Sequence, residues 1–297
     1  MNIGIDLGGT KTEIIVLEKG NELYRKRIAT PRGNYAGIVQ QLASLIDETA
    51  HEFSIPVNTA VGIGIPGAVS RLTGKIKNAN TTELIGEYLA GDLMKLTGRT
   101  VLVENDANCL ALSEAVDGAG EPFHTVFAVI TGTGTGAGIS IGKRILRGAN
   151  SIGGEWGHNP MPYLTATDYP GRKCYCGKMD CVETYLSGPG LSRTYEERTG
   201  QKLLAKQIYA SALEGNMHAI DVIDLYADQM ARALSVVINI LDPDAIVLAG
   251  GVSNMEMLYT LVPQKWGRYV FSDIVDTVLL KAAHGDSSGV RGAAWLV

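Results

Sequence analysis

Two stretches of this chain repeat one architecture, and that repeat limits the possible folds more than any other feature of the sequence. Residues 3–6 form a short apolar run, followed by Leu7-Gly8-Gly9-Thr10-Lys11-Thr12, a second run at 13–17, a polar turn at 18–21 and a third run at 22–28. About 125 residues later the order returns: an apolar run at 126–130, Thr131-Gly132-Thr133-Gly134-Thr135-Gly136, a run at 137–141, a turn at Gly142-Lys143, and residues 144–147. Apolar runs of strand length, separated by glycine turns, read as antiparallel hairpins. Glycine hairpins are common, but the same succession twice predicts two related α/β halves facing each other across a cleft.

Helices alternate with these strands. Residues 36–53 place Ile38, Leu42, Leu45, Ile46 and Thr49 near one helical face, and 220–241 repeat Tyr226, Met230, Leu234, Val237, Ile238 and Leu241 at the same period. Asp242-Pro243 ends the second helix, and a buried-looking strand at 245–249 runs into Gly250-Gly251. Strands interleaved with helices imply mixed sheets covered on both faces. The pattern breaks at Asp117-Gly118-Ala119-Gly120-Glu121-Pro122, which sets the expected halves at 1–118 and 119–297, with the C-terminal helix free to pack back on the first.

With 297 residues, 45% of them hydrophobic, the chain can bury two cores, or one large one. A formal net charge of −5 gives no general attraction to nucleic acid or to an anionic membrane. No apolar run approaches the ~20 residues of a membrane span, and the first residues lack the features of a leader peptide. The expected location is the cytoplasm.

The two hairpins have the parts needed to hold a polyphosphate. Glycines let the backbone approach closely with its N–H groups directed at the ligand, Thr10, Thr12, Thr131 and Thr133 can add hydroxyl donors, and Lys11 adds charge. This is not a Walker loop, because no Gly-Lys-Ser/Thr precedes a helix. Asp6 ends the strand before the first hairpin and is a candidate Mg²⁺ contact, direct or through water, with a turn cap as the alternative. Asp106 falls at a junction between a strand at 100–104 and a helix at 107–115, where α/β proteins place ligand-binding groups. Its carboxylate can accept the proton of an attacking hydroxyl. The alternative is an N-cap, for which Asp and Asn are favoured types.

His158, Cys174, Cys176 and Cys181 supply one nitrogen and three thiolates, a donor set favoured for structural zinc. All four ligands come from protein, so such an ion would organise the loop rather than do chemistry. Cys109 lies apart, on the apolar face of the helix after Asp106. Because both hairpins are remote in sequence from this loop, metal loss is expected to disturb the binding of a polyphosphate less than it disturbs the loop's own surroundings.

These motifs, together with Gly4-Ile5-Asp6-Leu7-Gly8-Gly9-Thr10-Lys11-Thr12, Asn105-Asp106-Ala107-Asn108, Gly154-Glu155-Trp156-Gly157-His158, Cys181-Val182-Glu183 and Ala249-Gly250-Gly251, resemble the ROK family of repressors, open reading frames and sugar kinases. They occur along the whole chain in the family's order. The resemblance implies a duplicated actin-like, ribonuclease-H-like ATPase fold with ATP between two domains. It implies Asp106 as general base, Gly67, Asn105, Glu155, His158 and Glu183 around the sugar, and Gly250-Gly251 beneath the adenosine. His158 would then serve zinc with one ring nitrogen and the sugar with the other. Family members are commonly dimers.

Family repressors carry a DNA-binding segment ahead of this core, whereas here the core starts at residue 3 and the balance is acidic. The resemblance is nearest to bacterial manno(fructo)kinases, which makes fructose the expected substrate and fructose 6-phosphate the product. An N-acetylglucosamine or N-acetylmannosamine kinase is the alternative. The stiff Asn159-Pro160-Met161-Pro162 segment is expected to wall off an acetyl group.

Overall fold

The computed structural model describes residues 1–297, except for the side chain of Asp286. The first half runs β1 (Asn2–Leu7), β2 (Lys11–Glu18), β3 (Asn21–Ala29), α1 (Tyr35–Glu52), β4 (Val61–Ile65), β5 (Ala68–Val69), β6 (Ile76–Lys77), α2 (Leu89–Thr97), β7 (Val101–Asn105) and α3 (Asp106–Val116). The second runs β8 (Thr125–Thr131), β9 (Thr135–Ile141), β10 (Arg144–Ile145), α4 (Glu183–Leu186), α5 (Gly188–Thr199), α6 (Ala205–Leu213), α7 (Met217–Leu241), β11 (Ala245–Ala249), α8 (Leu258–Trp266), β12 (Val278–Lys281) and α9 (Ser288–Ala294).

The sequence repeat becomes a repeat of topology. One sheet has the order β3-β2-β1-β4-β7 and the other β10-β9-β8-β11-β12. In each, the hairpin strands pair antiparallel and the remaining two join in parallel through helical crossovers. This is the expected duplicated actin-like, ribonuclease-H-like α/β fold, two domains around a cleft. The inner strands β4 and β11 are buried along their whole length because helices cover both faces.

Each half has its own core. Ile5, Ile14, Ile38, Leu42 and Ile63 pack together in the first, and Phe127, Tyr185, Tyr226, Met230 and Leu234 in the second. Two helices, however, change sides. Helix α3 lies on the second sheet, where Leu110, Ala111 and Ala115 share a cluster with Val126, Ala128 and Val247. Helix α9 lies on the first, with Val290 and Ala294 against Ile15 and Leu17. That close seat depends on absent side chains: a Cβ at Gly62 would lie 1.8 Å from the Ala293 carbonyl oxygen. The two helices cross where a Cβ on Gly292 would come within 1.7 Å of the Cys109 carbonyl oxygen. Buried Glu114 ties the crossing together, accepting from the Ser288 hydroxyl at 2.8 Å and the amides of Ala119 and Ala283 at 2.9 and 3.1 Å.

The long connection between β10 and α4 carries little regular structure and is anchored from beneath. Arg232 of α7, 1% exposed, donates to Asp168 at 3.0 Å and to the Tyr163 carbonyl at 2.8 Å. Burial alone would raise the Asp168 carboxyl; hydrogen bonds from Arg232, the Thr165 amide and Gln229 outweigh it and hold the group down at about 2. Among the described residues no helix is long and apolar enough to cross a membrane.

Candidate active site

Asp106 opens α3, but the cap of that helix is its neighbour. The Asn105 side-chain oxygen accepts from the amides of Ala107 and Asn108 at 2.9 and 3.2 Å, and its amide donates to the Gly67 carbonyl at 2.9 Å. Glu104 braces the turn beneath, accepting from the Asn105 backbone at 2.9 Å and from Asn108 at 3.0 Å while it pairs with Arg147 of the other half. The capping role weighed for Asp106 thus falls to Asn105. The Asp106 carboxylate accepts from the Ala107 amide at 2.8 Å and otherwise faces a cleft cavity of about 360 Å³.

That cavity brings Asp6, Gly8, Gly9, Asp106 and Gly250 together. Burial pushes the Asp106 carboxyl up to about 6; the Ala107 amide opposes this and the charge of Glu155 adds to it. Asp6 rises further, to about 7, through burial, then the charges of Asp106 and Glu13, with Arg27 pulling the other way. Two carboxylates so placed want a cation or a proton between them. Among the described residues the Asp6 carboxylate has no hydrogen-bond donor, and a hard oxygen ligand of this kind fits Mg²⁺.

The hairpins present their loops as expected, with Gly9, Thr10, Lys11 and Thr133 exposed. Two of the four threonines do not. Strand alternation turns Thr12 and Thr131 inward, where the Thr12 hydroxyl meets that of Thr30 at 2.8 Å and Thr131 donates to the Ala249 carbonyl at 3.2 Å. The expectation of phosphate-facing hydroxyls is corrected for these two residues. The cavity wall also includes Pro66, Asn80, Thr81 and Ser288, which the sequence reading missed. Thr81 is 5% exposed, and its hydroxyl lacks a partner among the described residues while lying 3.1 Å from where a Gly9 Cβ would be. In sequence, Asn80-Thr81 resembles any polar turn; only the fold brings it beside the first hairpin.

The four proposed metal ligands do converge. Their donor atoms all lie within 4.8 Å of one another. His158 Nδ1 is 3.7 Å from Cys174 Sγ, and Cys176 Sγ is 3.5 Å from Cys181 Sγ. A tetrahedral zinc with Zn–S ~2.3 Å and Zn–N ~2.0–2.1 Å needs separations of about 3.6 Å for N–S and 3.8 Å for S–S. The residues therefore fit the ion. Nδ1 is turned to the thiols and Nε2 lies 3.0 Å from the Tyr175 hydroxyl, to which it would donate with a metal held on Nδ1. Tyr175, largely exposed, stands where the sugar was expected to meet His158. Asn159-Pro160-Met161-Pro162 does not border the cavity: Pro160 bridges to Cys181, and Met161 is buried in the second core. Glu155, His158 and Glu183 do not line this cavity either.

A profile of the ROK family matches residues 2–297, and the chain belongs to that family. It is 38% identical over 301 residues to an N-acetyl-D-glucosamine kinase of Yersinia enterocolitica, covering 100% of this chain and 99% of the relative. Among solved structures it resembles a ROK hexokinase from Thermus thermophilus, with TM-score 0.86 and 28% identity over 99% of this chain and 96% of that one. A ROK family glucokinase from Streptomyces griseus, in complex with glucose and AMPPNP, has TM-score 0.79 and 29% identity over 100% and 98% of the two chains.

Proposed function

We propose that the protein is an ATP-dependent kinase of N-acetyl-D-glucosamine, transferring the terminal phosphoryl group to the sugar's primary 6-hydroxyl. The observation that carries the kinase reading is the cavity that joins the Gly8-Gly9 hairpin and Asp6 to Asp106, a carboxyl held near 6. Fructose, expected from the sequence, is set aside. The 38% identical relative is named for N-acetyl-D-glucosamine.

In this reading the Asp106 carboxylate accepts the hydroxyl proton as the sugar oxygen bonds to the γ-phosphorus and the bond to the β–γ bridging oxygen breaks, releasing ADP. Asn105 fixes the turn that aims the carboxylate. The hairpin amides and Lys11 hold the phosphates, with Asp6 as the site for Mg²⁺, which neutralises phosphate charge when bound. Asn105, Gly67, Glu155 and Glu183 form the sugar side, with Tyr175 on the His158 nitrogen that was expected to meet the sugar. Zinc at His158, Cys174, Cys176 and Cys181 is structural. Steady-state kinetics with a panel of hexoses tests the assignment: kcat/KM is expected to be highest for N-acetylglucosamine. A higher value for fructose overturns the substrate, and no phosphorylation of any sugar overturns the kinase.

A further inference from the structure

The metal loop and the second glycine hairpin hold each other directly. Glu183 begins α4 shortly after the ligand Cys181, and its Oε2 accepts from the Thr135 amide at 2.9 Å. The carboxylate is so close that a Cβ on Gly134 would lie 2.5 Å from that oxygen. Gly157, just before the ligand His158, packs on the other side of the same residue: its Cβ would lie 1.9 Å from the Thr135 carbonyl oxygen. The Gly188 amide at the start of α5 donates to the Gly132 carbonyl at 2.8 Å. The Thr135 amide is thus bonded by Glu183 and its carbonyl closely packed by Gly157, in two segments that carry different candidate metal ligands.

We propose that Glu183 is a positioning residue for the phosphate hairpin, and that the metal loop sets the nucleotide site as well as the sugar site. The inference rests on the kinase reading above. A loop of Gly132-Thr133-Gly134 has little conformational preference of its own, so external bonds must fix the direction of its N–H groups. The carboxylate has two oxygens, and Oε2 is committed to Thr135, leaving Oε1 for a sugar hydroxyl. One side chain then touches both substrates' supports. This reverses the expectation that distance in sequence insulates the nucleotide from the metal.

The test is calorimetric titration of the metal-loaded protein with AMPPNP and Mg²⁺, without sugar. Glu183→Ala is expected to weaken binding about tenfold, the scale of one hydrogen bond to a charged acceptor. Glu183→Gln, whose amide oxygen still accepts from Thr135, is expected to stay within about threefold of wild type. An Ala variant with unchanged affinity makes Glu183 a sugar ligand only and overturns the proposal. Wild-type protein that binds no AMPPNP overturns the kinase reading, and this inference with it. Hydrogen exchange on the wild type needs no variant to fold: removing the metal with a chelator should speed exchange of the amides at 132–135. Unchanged exchange there overturns the role given to the metal loop.

Discussion

Replacing Asp106 with Asn should make the protein both slower and more stable. The Asp106 carboxyl rises from 3.8 to about 6, which at ~1.36 kcal/mol per unit means that carrying this charge at neutral pH costs about 3 kcal/mol. Asparagine keeps the shape and the acceptor for the Ala107 amide, and it removes the charge that raises Asp6. For a chain of 297 residues, with ~2.1 cal/mol/K of unfolding entropy per residue, 3 kcal/mol corresponds to a Tm about 5 °C higher. The sign follows from linkage. A carboxyl whose folded pKa is raised contributes stability that is full below its unfolded value of 3.8 and is lost as pH rises through about 6. The Tm difference between variant and wild type should therefore be near zero at pH 4 and reach its full size above pH 6. Over the same change kcat should fall by roughly 10²–10⁴, because the base is gone. Calorimetric melts across pH, with coupled-assay kinetics at pH 7.5, measure both. Wild-type activity in the variant would place the base elsewhere, and a Tm at pH 7 no higher than wild type would refute the charge argument.

Thr81→Val swaps the buried, unpartnered hydroxyl for a methyl of the same shape; if the hydroxyl meets the transferring phosphoryl group, kcat should drop about tenfold with stability equal or higher. Unchanged kinetics would make it a buried hydroxyl and nothing more. Arg232→Met strands the Asp168 carboxylate in the core and should cost about 3–5 kcal/mol in urea unfolding. In the wild type the depressed Asp168 pKa, about 2 against 3.8 unfolded, contributes about 2 kcal/mol that is present above pH 4 and lost as pH falls toward 2. The Met variant should lack that acid-side loss.

What could be read in the sequence was whatever is encoded locally. The two hairpins announced both sheets, because strand runs and glycine turns are short-range signals, and the Leu7–Thr12 and Thr131–Thr135 pairings close the predicted loops. The candidate metal ligands were legible because their chemistry is rare and their order fixed. Residues with common side chains were not: Asn80 and Thr81 gain meaning only from the return of β6 toward the first hairpin. Which of Asn105 and Asp106 caps α3 could not be told from type, since both suit the role. Side-chain direction decided it. In the exchange of helices, the return of α9 to the first half was anticipated, but the placing of α3 on the second sheet was invisible for a different reason. Nothing in an apolar helix face says which of two similar sheets it will cover, and the deciding features are glycines such as Gly62 and Gly292, whose missing side chains look like flexibility until the partner backbone is in view.

That exchange ties folding to the order of synthesis. The face of the first sheet formed by Ile15 and Leu17 is closed by α9, and Asn2 bonds to the Ala294 carbonyl across 292 positions of sequence. A ribosome adding about 5–20 residues per second must therefore hold an open apolar sheet for many seconds before its cover emerges. The closing helix supplies contacts of very high sequence separation, so loop closure is made late and at full entropic cost. During that interval the nascent first half presents the surface a chaperone would bind.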